Sequence, residues 1–138
     1  MKKQFGFSLI ELMIAIAIIG VIAAVAFPSY TTHLRETRRA DARSSLQEAA
    51  ARQERIYTEA NTYTGDLSRL VSNADGSSSA EGYYAITVNL TCDRTISGTT
   101  YYSCFTLTAT AQGVQADDTN CPALTLTHAG VKAPADCW

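Results

Sequence analysis

A chain of 138 residues with a formal charge of −2 and 17% charged residues is one modest domain plus whatever its N-terminal segment does. The slightly acidic balance gives no general attraction to nucleic acid, and much of the 46% hydrophobic content sits in the first thirty positions. No nucleophile triad, metal-ligand spacing or phosphate-cradling glycine loop is present, which argues against an enzyme and against any metal or organic cofactor.

The first element is apolar. From Phe7 to Phe27 every residue is apolar or small except Ser8 and Glu11, and Lys2, Lys3 and Gly6 precede the run. Its length is close to the roughly 20 residues that a bilayer-spanning helix needs. A removable secretory signal places its apolar core before the cut, with small residues at its end; here the order is reversed, so a retained anchor is expected. Basic residues before the run and oxidisable cysteines after it place the N-terminus in the cytoplasm and the remainder outside. Glu11 does not fit a plain anchor. A carboxylate at the centre of a membrane helix costs about 2.5–3.5 kcal/mol, and such groups normally have a partner and a task.

After Pro28 the helical period continues. Leu34, Ala42, Leu46, Ala49, Gln53 and Ile56 mark a narrow stripe, while Arg35, Arg38, Arg39, Arg43, Glu48, Arg52, Glu54 and Arg55 supply polar faces. Neither glycine nor proline occurs between Ser29 and Ala60. One long helix is expected from about Phe7 to Ala60, bent near Pro28. A polar, glycine-containing loop follows over residues 61–82. Period-2 runs at Tyr83–Leu90, Tyr101–Thr110 and Ala123–His128 then predict an antiparallel sheet with one buried face, and Ala129-Gly130 turns the chain toward Val131. The fold class is α+β: a long N-terminal helix packed on a sheet of three to four strands.

Cys92, Cys104, Cys121 and Cys137 all lie in the last third, as two disulfides of an oxidising compartment would. Four cysteines allow three pairings, and pairing of sequence neighbours, Cys92–Cys104 and Cys121–Cys137, is the expected one. A bridge closing a loop of about 15 residues is worth on the order of 3 kcal/mol to a small head.

The remaining features read as ordinary surface. Arg35, Arg38, Arg39 and Arg43 could form a nucleic-acid stripe, but Glu36 and Asp41 interrupt them, which favours a solvated or lipid-facing flank and makes DNA an unexpected partner. His33 and His128 stand apart from any ligand spacing, and Asp117-Asp118 falls far short of a calcium site, so a polar loop is expected there. Asn89-Leu90-Thr91 matches a glycosylation sequon inside a predicted strand. Tyr101-Tyr102 could face an adhesive surface.

The stretch Gly6-Phe7-Ser8-Leu9-Ile10-Glu11-Leu12 closely resembles the processing motif of type IV pilins. The likeness extends to Gly20 and Pro28, at the family's helix-loosening positions, and to the terminal disulfide loop ending Ala135-Asp136-Cys137-Trp138, which is similar to type IVa minor pilins of the PilE kind. The resemblance implies a leader over 1–6, an apolar transmembrane and filament-core helix over 7–28, and a periplasmic head over 29–138. The head comprises a half-helix over 29–60, a loop over 61–82 and the sheet with its disulfide loop over 83–138. It implies cleavage between Gly6 and Phe7 by a prepilin peptidase, N-methylation of Phe7, and pairing of Glu11 with the Phe7 amine of the next subunit. The implied partners are other pilin subunits, the inner membrane and the pilus assembly machinery. The implied role is a structural or assembly subunit, a minor pilin, of a filament serving motility, adhesion or competence. A major pilin or a type II secretion pseudopilin is the alternative, and an adhesive or DNA-binding pilin is the second class.

Overall fold

The computed structural model describes residues 7–73 and 76–138, with backbone alone at Phe27 and Pro28. The chain divides into two compact units, Met1–Leu34 and Arg35–Trp138. Helix α1, Leu9–Ala60, runs from the first into the second. Its sequence is rich in Ala, Leu, Glu and Arg, which lose little on entering a helix, and the helical backbone passes through Pro28. The end is set by Asn61, whose φ of 54° is left-handed and whose N–H donates to the Tyr57 carbonyl at 2.8 Å. Asparagine is one of the few residues that tolerates this helix-ending conformation.

In the second unit, residues 61–73 and 76–83 return along the helix, Thr64 meeting Gln53, Ser72 meeting Glu48 and Ser79 meeting Asp41. Asp66 caps a short 3-10 helix, Leu67–Arg69, by accepting from the Ser68 N–H. Leu70 and Val71 then plug the core. Four antiparallel strands follow, β1 Tyr84–Ile96, β2 Thr99–Ala111, β3 Ala123–Thr127 and β4 Lys132–Ala133, arranged in chain order across one sheet. The register sets Tyr84 opposite Ala111, Leu107 opposite both Val88 and Leu126, and Leu126 opposite Lys132.

Alternation decides the buried face. Tyr84, Ile86, Phe105, Leu107, Ala109, Leu124 and Leu126 point inward and meet Ala42, Leu46, Ala49 and Ile56 of α1 in one cluster. Each large apolar side chain buried here contributes about 1.5–3 kcal/mol relative to exposure. Gln53 occupies the same stripe and is wholly buried. Its amide donates to the Thr64 carbonyl at 2.6 Å and accepts from the Thr64 N–H at 2.9 Å, so it pairs with the returning chain as a backbone segment would.

The first two strands run further than their alternation predicted. Both extend outward to a two-residue turn, Ser97-Gly98, in which both residues are left-handed with φ of 51° and 82°. Such a turn matches the twist of the flanking strands. Residues 91–100 are all exposed, so this arm has no buried face to write a period-2 pattern into the sequence. The Cys92–Cys104 disulfide crosslinks it near its base.

Candidate assembly site and the polar clamps of the head

From Phe7 to Ala26 the apolar side chains are uncovered. Phe7 is 87% exposed, and Leu9, Ile10, Leu12, Met13, Ile14, Ile16 and Ile18 are exposed with it. A contiguous apolar surface of this extent marks a contact with lipid or with other apolar helices. The helix is long and apolar enough to cross a membrane. Glu11 lies in its first turn, exposed among these side chains, where the N-terminal end of the helix dipole favours negative charge. Among the described residues Glu11 has no ion-pair partner. A Cβ at Gly20 would meet nothing within 4 Å, so the residue's smallness serves no packing within its own chain. Gly6 and the Pro28 side chain lie outside the described residues.

The head is closed by polar clamps built in part from charged residues expected to face solvent. The Arg39 guanidinium reaches the Asp118 carboxylate through Nε at 2.7 Å and Nη2 at 2.8 Å, with side-chain exposures of only 12% and 3%. Gln115, wholly buried, donates to Asp118 Oδ2 at 3.0 Å and to the Tyr84 hydroxyl at 3.1 Å. The Arg39 hydrogen bond holds the Asp118 carboxyl below its ordinary range against the opposing effect of burial, and Arg39 is raised in turn by the same bond. Burial pushes the Tyr84 hydroxyl up.

Neighbouring arginines are used similarly. Arg43 Nε donates to the Cys137 carbonyl at 3.0 Å, and the Arg38 guanidinium lies 4.8 Å above the Tyr83 ring. The row at 38, 39 and 43 is therefore not a solvated flank, and Asp118 is not part of an ordinary polar loop. Together they fasten the C-terminal segment and the start of β1 to α1. Asp41 completes the fastening by accepting from Ser79 Oγ at 2.5 Å and from the Glu81 N–H at 3.1 Å. A sequence signal existed: charged residues on the stripe's own flank, at a position where the sheet must meet the helix, are candidates for pairing inward.

Cys92 is joined to Cys104 and Cys121 to Cys137. The second bridge is buried, at 2% and 1% exposure, whereas Cys92 is exposed. His128 packs edge-on against Phe105 at 6.3 Å. Among the described residues no three His, Cys, Asp or Glu side chains are grouped as a metal site would require. Asn89 is exposed on β1.

The N-terminal residues 1–27 match the model of the prokaryotic N-terminal methylation motif. Residues 28–125 match a family described as type IV minor pilin ComP, DNA uptake sequence receptor. The chain is a type IV pilin and a member of that family. A solved type IV pilin from Shewanella oneidensis is 30% identical, with a TM-score of 0.55 over 75% of this chain and 97% of its own. A fimbrial protein of Pseudomonas aeruginosa is 51% identical over 53 residues, 36% of this chain and 34% of that protein. Fimbrial protein EcpB of Eikenella corrodens is 65% identical over 34 residues, 25% of this chain and 21% of that protein. The chain thus spans about a third or less of the length of the curated relatives it matches. Pilins of this family and fold are structural proteins, not enzymes.

Proposed function

We propose that this pilin is a minor subunit of a type IVa pilus, cut between Gly6 and Phe7 by a prepilin peptidase, methylated at Phe7 and incorporated through its N-terminal helix. The observation that carries the reading is an N-terminal methylation motif leading into an uncovered apolar helix with one acidic residue in its first turn. Before assembly the segment 7–28 sits in the inner membrane, with the preceding residues cytoplasmic and the head of 29–138 periplasmic. On assembly, apolar surface moves from lipid to packing against other pilin helices, for which the small residues Gly20 and Ala24 permit close approach. Glu11 pairs with the cationic Phe7 amine of the adjacent subunit, where low dielectric strengthens a matched pair. Mass spectrometry of the native protein tests the processing step: the reading requires a mature chain that begins at methylated Phe7, and any other N-terminus contradicts it.

The family description favours a second reading, in which the head receives DNA. Arg39 cannot supply the contacts without abandoning Asp118, while Arg38 and Arg43 are held in place by Tyr83 and the Cys137 carbonyl. Duplex binding by the protein, with a salt dependence proportional to the phosphates contacted, would support this role; binding absent even at low salt would remove it.

A further inference from the structure

At the far end of α1 a groove of about 410 Å³ is lined by Arg52, Arg55, Ile56, Glu59 and Arg69. The lining carries three guanidiniums and one carboxylate, in a chain whose formal charge is −2. Two of the arginines come from successive turns of the helix and the third from the 3-10 turn seventeen residues after Arg52, so folding is what brings them together. The three are not equally committed. Arg52 Nη2 donates to Glu48 Oε1 at 2.6 Å and to Ser72 Oγ at 2.5 Å, and the hydrogen bonds from Ser72 and then Arg52 hold the Glu48 carboxyl below its usual range. That leaves the rest of the Arg52 fork oriented in advance. Arg55 has only a loose contact with Glu59, 3.5 Å between side chains 83% and 62% exposed, an arrangement worth little in water. The Arg69 side chain is exposed and has no hydrogen-bond or ion-pair partner among the described residues.

We propose that Arg52, Arg55 and Arg69 form a binding groove for a phosphorylated saccharide. Planar guanidinium forks match pairs of phosphate oxygens, and three forks around one space suit a tetrahedral oxyanion better than a single flat carboxylate. The groove falls in the size range of small-ligand pockets and is larger than a lone phosphate ion needs. Ile56, buried in its floor, offers apolar contact to the face of a sugar ring. The site stands apart from the arginines at 38, 39 and 43, and it rests on neither the assembly reading nor the DNA reading.

The test uses the full chain in detergent micelles, titrated with glucose 6-phosphate, with a thymidine dinucleotide and with inorganic sulfate, read by calorimetry and by arginine Nε–Hε NMR shifts. Because Arg55 and Arg69 are exposed, R55Q and R69Q should leave the fold intact. Each is expected to weaken sugar-phosphate binding about tenfold or more, as the loss of a charge-assisted hydrogen bond does, while R94Q, on the exposed hairpin arm, changes it less than about twofold. Glucose 6-phosphate binding that R69Q weakens and the dinucleotide does not match supports the groove; dinucleotide binding alone belongs to the DNA reading and overturns the proposal. Sulfate binding as tightly as either probe means an adventitious ion only and overturns the proposal. So does the absence of saturable binding, or equal losses in R94Q and R69Q.

Discussion

Asp118→Asn is the sharpest single test of how the head is held together. The substitution keeps the shape of the side chain but removes the charge opposite Arg39, whose side chain is only 12% exposed. A buried pair broken on one side leaves an uncompensated charge, at a cost of about 3–5 kcal/mol. For a unit of about 100 residues this lowers Tm by about 12 °C or more. Replacing both partners with apolar residues, Arg39→Met with Asp118→Leu, should recover most of the loss, because the desolvation cost disappears with the charges. The pH dependence has a definite sign. Asp118 has its folded-state pKa depressed, so its contribution is fully present above the unfolded value near 4 and is lost as pH falls through the folded value. Thermal unfolding of the full chain in micelles, followed by near-ultraviolet circular dichroism between pH 2.5 and 7, reads both effects. A D118N protein within about 1 kcal/mol of wild type, with an unchanged acid slope, would refute the clamp.

Three further outcomes are expected. Gln53→Leu strips the Thr64 N–H and C=O of their partner in a buried place, which should cost about 2–4 kcal/mol in the same unfolding assay. Under graded dithiol reduction, alkylation and mass mapping should find Cys92 and Cys104 modified well before Cys121 and Cys137, since Cys92 is exposed and the second bridge is buried; simultaneous reduction would contradict the burial assigned to the C-terminal loop. Tyr63, its hydroxyl pushed up to about 12 chiefly by burial and then by its bond to Glu54, should be among the last tyrosines to ionise in an ultraviolet titration. Any stability it confers is present below the unfolded value near 10 and is lost as pH rises through 12.

The elements that bury a face were legible in the sequence. The stripe Ala42, Leu46, Ala49, Gln53 and Ile56 is buried throughout, and the three alternating runs became the core of β1, β2 and β3. The pairing of Cys92 with Cys104 was legible too, because strands joined by a hairpin lie within a disulfide's reach. What escaped was whatever does not depend on burial periodicity. The hairpin arm over 91–100 is exposed on both faces, so only its Ser97-Gly98 turn could have announced it. Arg39 and Asp118 are 79 residues apart, so the place of Arg39 on the flank of the stripe marks it as a candidate for inward pairing, but no local pattern names its partner. At the N-terminus the motif itself was plain, since Lys2, Lys3, Gly6 and Glu11 stand out against an apolar background. The partner proposed for Glu11, the Phe7 amine of another subunit, lies outside this chain, which displays a carboxylate without an ion pair among the described residues but not its counter-ion.

The central claim is that Glu11 recruits a neighbouring subunit instead of merely lowering the hydrophobicity of an anchor. Immunoblotting of sheared filaments and of membranes, from cells carrying wild-type or Glu11→Ala protein, tests it most directly. Alanine enters lipid more readily than glutamate, so membrane insertion and cleavage after Gly6 should be intact in the variant. Equal amounts of mature protein are expected in the two membrane fractions, with the filament fraction depleted about tenfold or more by Glu11→Ala, as the loss of a desolvated ion pair would give. Equal amounts of the two proteins in sheared filaments would contradict it.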